Sequence, residues 1–307
     1  MIKYLVTVLF IFITLMTSAQ VKCGAERTRQ YYLLLQNKNI GIVANSASLV
    51  GQVNVVDTLL HMGLKVEKIF CPEHGFRSYL DAGLTIKNSI DPATKLPVIS
   101  LYGKKKKPDP EDLKDIDIVV FDLQDVGVRF YTYLSTLSYM MEACSQANIP
   151  LMVFDRPNPN GFYIDGPVMD SSLFSFIGMH PVPIVYGMTI GEYARMVNEE
   201  GWLKDRIICD LQVIPLENYT HHTLCALSAK PSPNLTDMNA IYLYPSLCLF
   251  EGTIISIGRG TPYPFEVYGH PALKGTSFQF TPQAGKGSVN PLYSGHPCHG
   301  VDLRDYY

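Results

Sequence analysis

Charge is scarce in this sequence. Of 307 residues only 17% are Asp, Glu, Lys or Arg, and the formal net charge is -3. No basic field exists to hold nucleic acid, and none is expected as a partner. Paired cysteines are missing too. The seven cysteines (23, 71, 144, 209, 225, 248 and 298) lie far apart without CxxC spacing, which argues against a zinc site or a dense disulfide framework. Cys71, Cys144, Cys209 and Cys248 fall inside apolar stretches, as buried thiols do. After the first expected strand the chain reads NSASLVGQ, not GxGxxG, and GxxxxGKS/T occurs nowhere. Without those glycines a backbone has no close approach to a pyrophosphate, so a nicotinamide or ATP enzyme is disfavoured and no cofactor is expected. The GxSxG elbow is also absent, which weakens a serine hydrolase.

The run Leu5 to Met16 is shorter than the about 20 residues that cross a bilayer. With Met1-Ile2-Lys3 before it and Thr17-Ser18-Ala19 after, it has the charged, apolar and small-residue parts of a secretory signal, cleaved after Ala19. The expectation is an exported protein, periplasmic or secreted, with no stable membrane insertion after cleavage. A lipid anchor at Cys23 is the lesser alternative, because Lys22 stands where a small residue precedes a lipidated cysteine.

Hydrophobic residues make up 47% of the chain, the composition of a folded protein. Short apolar runs (Ile40 to Ala44, Val66 to Cys71, Pro97 to Leu101, Ile116 to Leu123, Leu151 to Phe154) read as strands. They alternate with helical patterns at Val53 to Met62 and Tyr131 to Ala147. Strands apolar on both faces, separated by helices, predict an α/β fold: a Rossmann-like parallel sheet with helices on both faces. From Asp155 the texture turns to RPNPNG, DGPV, HPVP and PSPN, the punctuation of ordered loops. Thr189 with Glu192 forms a capping box for a helix over Ile190 to Glu200, and a strand follows near Ile207 to Ile214, before a loop-rich tail. The expected organisation is a signal over 1–19, a Rossmann-like domain over 20–180 and a smaller α/β domain over 181–307.

In open parallel sheets, ligands sit beyond the carboxyl ends of the strands. Three expected strand exits release polar groups there: Glu73, His74 and Arg77; Gln124, Asp125 and Arg129; Asp155, Arg156, Asn158 and Asn160. Such a set suits a polyhydroxylated, anionic ligand. A carboxyl beside apolar walls such as Phe70 and Phe76 can act as a general acid, and glycoside cleavage uses one, usually with a second carboxylate. The plainer reading of Glu73 is a loop carboxylate pinned by Arg77. Asp122 and Asp125 at a strand end can equally cap a helix. His74 has no companion ligands and is not assigned to a metal.

The blocks CPEHGFR, FDLQDVGVRFYTY, DRPNPNG, YGMTIGEYA, PSPN, YPSLCLFEGT and GRGTPYPF resemble, in order, the signature stretches of the exo-β-N-acetylmuramidase family of glycoside hydrolases. The resemblance implies release of a terminal β-1,4-linked N-acetylmuramic acid from the non-reducing end of peptidoglycan fragments. It implies a Rossmann-like domain and a smaller one with the pocket between them, and it makes Glu73 the catalytic residue. Asp122, Asp125 or the substrate's own acetamido group would then be the second group. Arg77, Arg129 or Arg259 would meet the lactyl carboxylate. His74, Gln124, Asn158, Asn160, Asn234 and Glu251 would serve the sugar's polar groups and Tyr131 its face. The chain departs from the family at Val185-Tyr186, where relatives more often carry arginine and histidine. Members usually continue beyond a GVDLRDYY-like stretch, so a shortened second domain is expected. The competing readings are a non-catalytic cell-wall sugar-binding protein using the same pocket and an exported small-molecule binding protein. A symmetrical second lobe, which the latter would need, is not evident.

Overall fold

Short apolar strands bury best when both faces are covered, and the computed structural model shows them so. It describes residues 20–77, 87–285 and 287–306; the expected signal over 1–19 lies outside the described residues. Helix α1 (Thr28–Leu35) precedes strand β1 (Asn39–Ala44). A small hairpin, β2 (Leu49–Val50) and β3 (Val53–Asn54), leads into α2 (Val55–His61) and β4 (Lys65–Cys71). There follow β5 (Ser89–Ile90), β6 (Pro97–Ser100), β7 (Ile118–Asp122), α3 (Tyr133–Ala147), β8 (Leu151–Phe154), α4 (Ile190–Glu199) and β9 (Leu211–Ile214).

These form one sheet in the order β5-β6-β4-β1-β7-β8-β9, parallel except for the antiparallel edge strand β5. Without that edge strand the order is the doubly wound one, reversing between β1 and β7. Alternate residues feed two cores. Val43, Phe70, Phe121 and Val153 join one that includes α3 and α4; Ile42, Ile69, Val120 and Met152 join another that includes α1 and α2. Each such side chain withdrawn from water contributes about 1.5–3 kcal/mol.

Helix starts follow local chemistry. The Asn54 side chain accepts from Val56 N–H at 3.1 Å to open α2. At α4 the expected box is present, with Thr189 Oγ1 accepting from Glu192 N–H at 3.2 Å and Glu192 Oε2 from Thr189 N–H at 2.8 Å. The sheet runs on past residue 181, the expected start of the second domain: β9 pairs in parallel with β8 over Leu151 to Phe154. The Pro- and Asn-rich stretch is therefore an excursion within the first domain.

The tail, expected to be loop-rich, holds helix α5 (Met238–Leu247) and an antiparallel sheet in the order β10-β12-β11: β10 (Val267–His270), β11 (Phe278–Phe280), β12 (Cys298–Asp302). Pro245 inside α5 hides the helix from a sequence reading, because proline removes the bond to the carbonyl four residues back. That carbonyl, Ile241 O, is met instead by Asn160 Nδ2 at 3.3 Å.

Candidate active site

Strand β4 ends at Cys71, and the chain turns through His74 (φ 75°) and Gly75 (φ 79°). Left-handed backbone at a non-glycine residue costs about 1–2 kcal/mol. The turn it closes places Glu73 and His74 on a cavity of about 270 Å³. The segment after β7 supplies Phe130, Tyr131, Thr132 and Tyr133 to its wall. Further along the chain come Ser232, Asn234, Tyr244, Glu251, Arg259 and Phe265. Glu73 is half-buried and His74 buried.

The aromatic wall packs edge to face. Tyr131 and Tyr133 meet edge to face at 4.7 Å, Tyr244 meets Tyr131 at 6.1 Å and Phe265 at 4.8 Å. Tyr131 O–H donates to Pro231 O at 2.8 Å. Burial holds the phenols of Tyr131 and Tyr244 well above the ordinary tyrosine range. Both therefore stay neutral. Opposite in character is the pair formed by Glu251 and Arg259, whose Nε donates to Glu251 Oε1 at 2.6 Å.

Of the expected site residues, Glu73, His74, Tyr131, Asn234, Glu251 and Arg259 line this cavity. The other seven do not, and each has structural work. Arg77 does not pin Glu73. Its Nη1 and Nη2 donate to Asp57 at 2.7 Å, and its Nε and Nη2 to Asp91 at 2.7 and 3.0 Å. Burial pushes the Asp91 carboxyl up, but bonds from Arg77 and Thr94 outweigh it and bring it down to about 2. Arg129 Nη1 donates to the carbonyls of Pro167 (2.5 Å) and Val182 (2.9 Å). Gln124 Nε2 donates to Asp125 O and Pro157 O, both at 2.8 Å.

Asp122, expected as a second carboxylate, is fully buried against Arg156, with Nε to Oδ1 at 2.5 Å and Nη2 to Oδ2 at 2.8 Å. Asp125 accepts from Gly127 N–H at 2.7 Å and from Tyr186 O–H. Burial nonetheless pushes its carboxyl up to about 7, the bonds from Tyr186 and Gly127 only moderating the rise. Tyr186, one of the two residues that depart from the family pattern, thus serves the core. Asn158 sits against Gly127, where a Cβ would lie 2.1 Å from Asn158 Oδ1 and φ is +81°, so only glycine fits. Its Oδ1 also accepts from Asn160 N–H at 2.8 Å.

Sequence reasoning missed Phe130, Tyr133, Ser232, Tyr244 and Phe265. The aromatics lie in apolar runs that read as core. Their one available signal was membership of the family-like blocks.

A doubly wound sheet whose carboxyl edge carries an acid-bearing, aromatic-walled cavity, completed by a small second domain, defines a two-domain α/β enzyme with a site for a sugar-sized ligand. The chain belongs to the exo-β-N-acetylmuramidase NamZ family of glycoside hydrolases: the family's N-terminal model matches residues 40–239 and its C-terminal model residues 242–306. It is 40% identical over 291 residues to the peptidoglycan β-N-acetylmuramidase NamZ of Bacillus subtilis, which covers 89% of this chain and 69% of the relative. The fold is similar to crystal structures of two DUF1343 family proteins from Bacteroides fragilis. One has a TM-score of 0.86 at 48% identity, covering 94% of this chain and 77% of that one. The other has 0.81 at 29%, covering 92% and 76%.

Proposed function

We propose that this chain hydrolyses the terminal β-1,4 bond of N-acetylmuramic acid at the non-reducing end of peptidoglycan fragments, with Glu73 as general acid. The observation that carries the reading is the turn at His74 and Gly75, which brings Glu73 onto an aromatic-walled cavity. A ring held against Tyr131 and Tyr244 would present its glycosidic oxygen to a half-buried carboxyl, the arrangement protonation of a leaving group requires.

Asp122 is tied to Arg156 and Asp125 lies off the cavity, while Glu251 is tied to Arg259. Among the described residues no carboxylate besides Glu73 and the Arg259-bound Glu251 lines the cavity, so the acetamido carbonyl of the substrate is taken as the group that attacks the anomeric carbon as Glu73 gives its proton to the departing oxygen. Water opens the cyclic intermediate, and the Glu73 carboxylate takes a proton from that water. Two displacements at one carbon retain the configuration.

Export, periplasmic or beyond, fits a polymer that lies outside the cytoplasm. Cys23 is 7% exposed and its N–H donates to Glu26 at 2.8 Å, which favours release without a lipid on its sulfur.

The test is incubation of the purified protein with the disaccharide N-acetylmuramyl-β-1,4-N-acetylglucosamine, following free sugars by chromatography and the first-formed anomer by proton NMR. Release of β-N-acetylmuramic acid is expected. Binding without turnover would make the chain a cell-wall sugar-binding protein instead, and a first-formed α anomer would reject the substrate-assisted route.

A further inference from the structure

Muramic acid differs from glucosamine by one lactyl carboxylate, and a cavity that selects it needs a cation placed for that anion. Arg77 spends both edges of its guanidinium on Asp57 and Asp91, Arg129 meets two carbonyls, and Arg156 closes on Asp122. Arg259 remains, and among the described residues it is the only arginine or lysine lining the cavity.

Its geometry is that of a prepared receptor. Nε and Nη2, the side-on edge, both reach Glu251 Oε1, at 2.6 and 2.5 Å. The guanidinium carbon stands 5.0 Å from the Phe265 ring centroid. Glu251 and Phe265 therefore fix the plane. Among the described residues no hydrogen bond uses Nη1, so the end-on edge of the fork stays open, and the side chain is 26% exposed. A second carboxylate can approach that edge with two parallel N–H···O bonds while Glu251 keeps the first.

We infer that Arg259, held by Glu251 and Phe265, is the residue that selects muramic acid by binding its lactyl carboxylate through the open edge of the guanidinium. The inference rests on the muramidase reading. The lactyl group is remote from the bond that breaks, so the interaction is made in ground and transition states alike and appears in KM more than in kcat. Glu251 keeps the site from presenting an unpaired cation when empty. It acts as a positioning residue.

The experiment compares 4-nitrophenyl β-N-acetylmuramide as the free lactyl acid with its lactyl carboxamide, a neutral analogue of the same shape. The wild-type chain should favour the acid by about 10- to 100-fold in kcat/KM, the range for a charge-assisted hydrogen-bonded pair. Arg259→Gln should remove that preference, the acid losing about 10- to 100-fold more than the amide, chiefly through KM. Arg259→Lys should recover part of it. Equal losses on acid and amide in Arg259→Gln, or a wild-type chain indifferent to the two, would overturn the assignment.

Failure of the muramidase reading looks different, because the wild-type chain would then cleave neither glycoside. In that case calorimetric titration with free N-acetylmuramic acid and its lactyl amide decides. Tighter binding of the acid, abolished by Arg259→Gln, supports the receptor, and equal binding overturns it.

Discussion

The buried pair between Asp122 and Arg156 permits a sharp test of what the strand-end acid does. Their side chains are 0% and 3% exposed, joined by bonds of 2.5 and 2.8 Å, and Arg156 Nη2 also donates to Leu49 O at 2.9 Å. Arg156→Met removes three hydrogen bonds and leaves a fully buried carboxylate without its cation. Breaking one side of such a pair costs about 3–5 kcal/mol. At about 2–4 °C per kcal/mol for a chain of this size class, the melting midpoint should fall by about 6–20 °C. Replacing both partners, Asp122→Leu with Arg156→Met, should recover at least about 2 kcal/mol, since the pair's desolvation cost goes with it. The assay is urea denaturation followed by tryptophan fluorescence from Trp202, with circular dichroism for the midpoint. A single substitution that costs less than about 1 kcal/mol would refute the reasoning. So would a folded Asp122→Asn variant whose kcat falls 100-fold with its midpoint unchanged, because Asp122 would then be acting in catalysis and not in the fold.

Two further predictions follow from buried polar groups. The Asp125 carboxyl rises from its ordinary 3.8 to about 7 on folding, so between those values the folded chain holds a proton that the unfolded chain has released. Its stabilisation is complete below the lower value and is lost as pH climbs through the upper one, a decline of about 2–4 kcal/mol. Asp125→Asn should flatten the stability profile from pH 4 to 7, because the remaining fall from Asp155, which burial raises to about 6, is opposed by the rise from His180, which burial lowers to about 4. A parallel decline in variant and wild type by denaturant titration would contradict this. Asn160→Leu strands two buried carbonyls, Val126 O and the Ile241 O freed by Pro245. It should cost about 2–4 kcal/mol, and an unchanged denaturation midpoint would count against the repair of α5.

Much of the fold was legible because hydrophobic period and capping chemistry are local. The strand over Leu151 to Phe154 matches its expected bounds, and the Thr189 box opens α4 where its spacing put it. The helix expected from Tyr131 starts at Tyr133, and the two residues before it turn toward the cavity. Helix α5 was illegible because its repair is non-local: Asn160 lies 81 residues from the carbonyl that it meets.

The strand-exit rule pointed to the edge of the sheet where Glu73 and Tyr131 line a cavity but could not sort its polar groups. A sequence does not show that Asp57 and Asp91 converge on Arg77, or that Asn158 fills the space over Gly127. Long-range partners decide which polar side chains are spent on the fold and which face the cavity. Glu73 was separable from Arg77 only once those partners were in place.

The most direct test is Glu73→Gln assayed on the natural disaccharide, whose leaving sugar cannot depart as an anion without help. With the fold verified by an unchanged denaturation midpoint, kcat should fall by about 100- to 10,000-fold, while N-acetylmuramic acid still binds. Turnover within threefold of wild type would contradict the assignment of Glu73 as the acid.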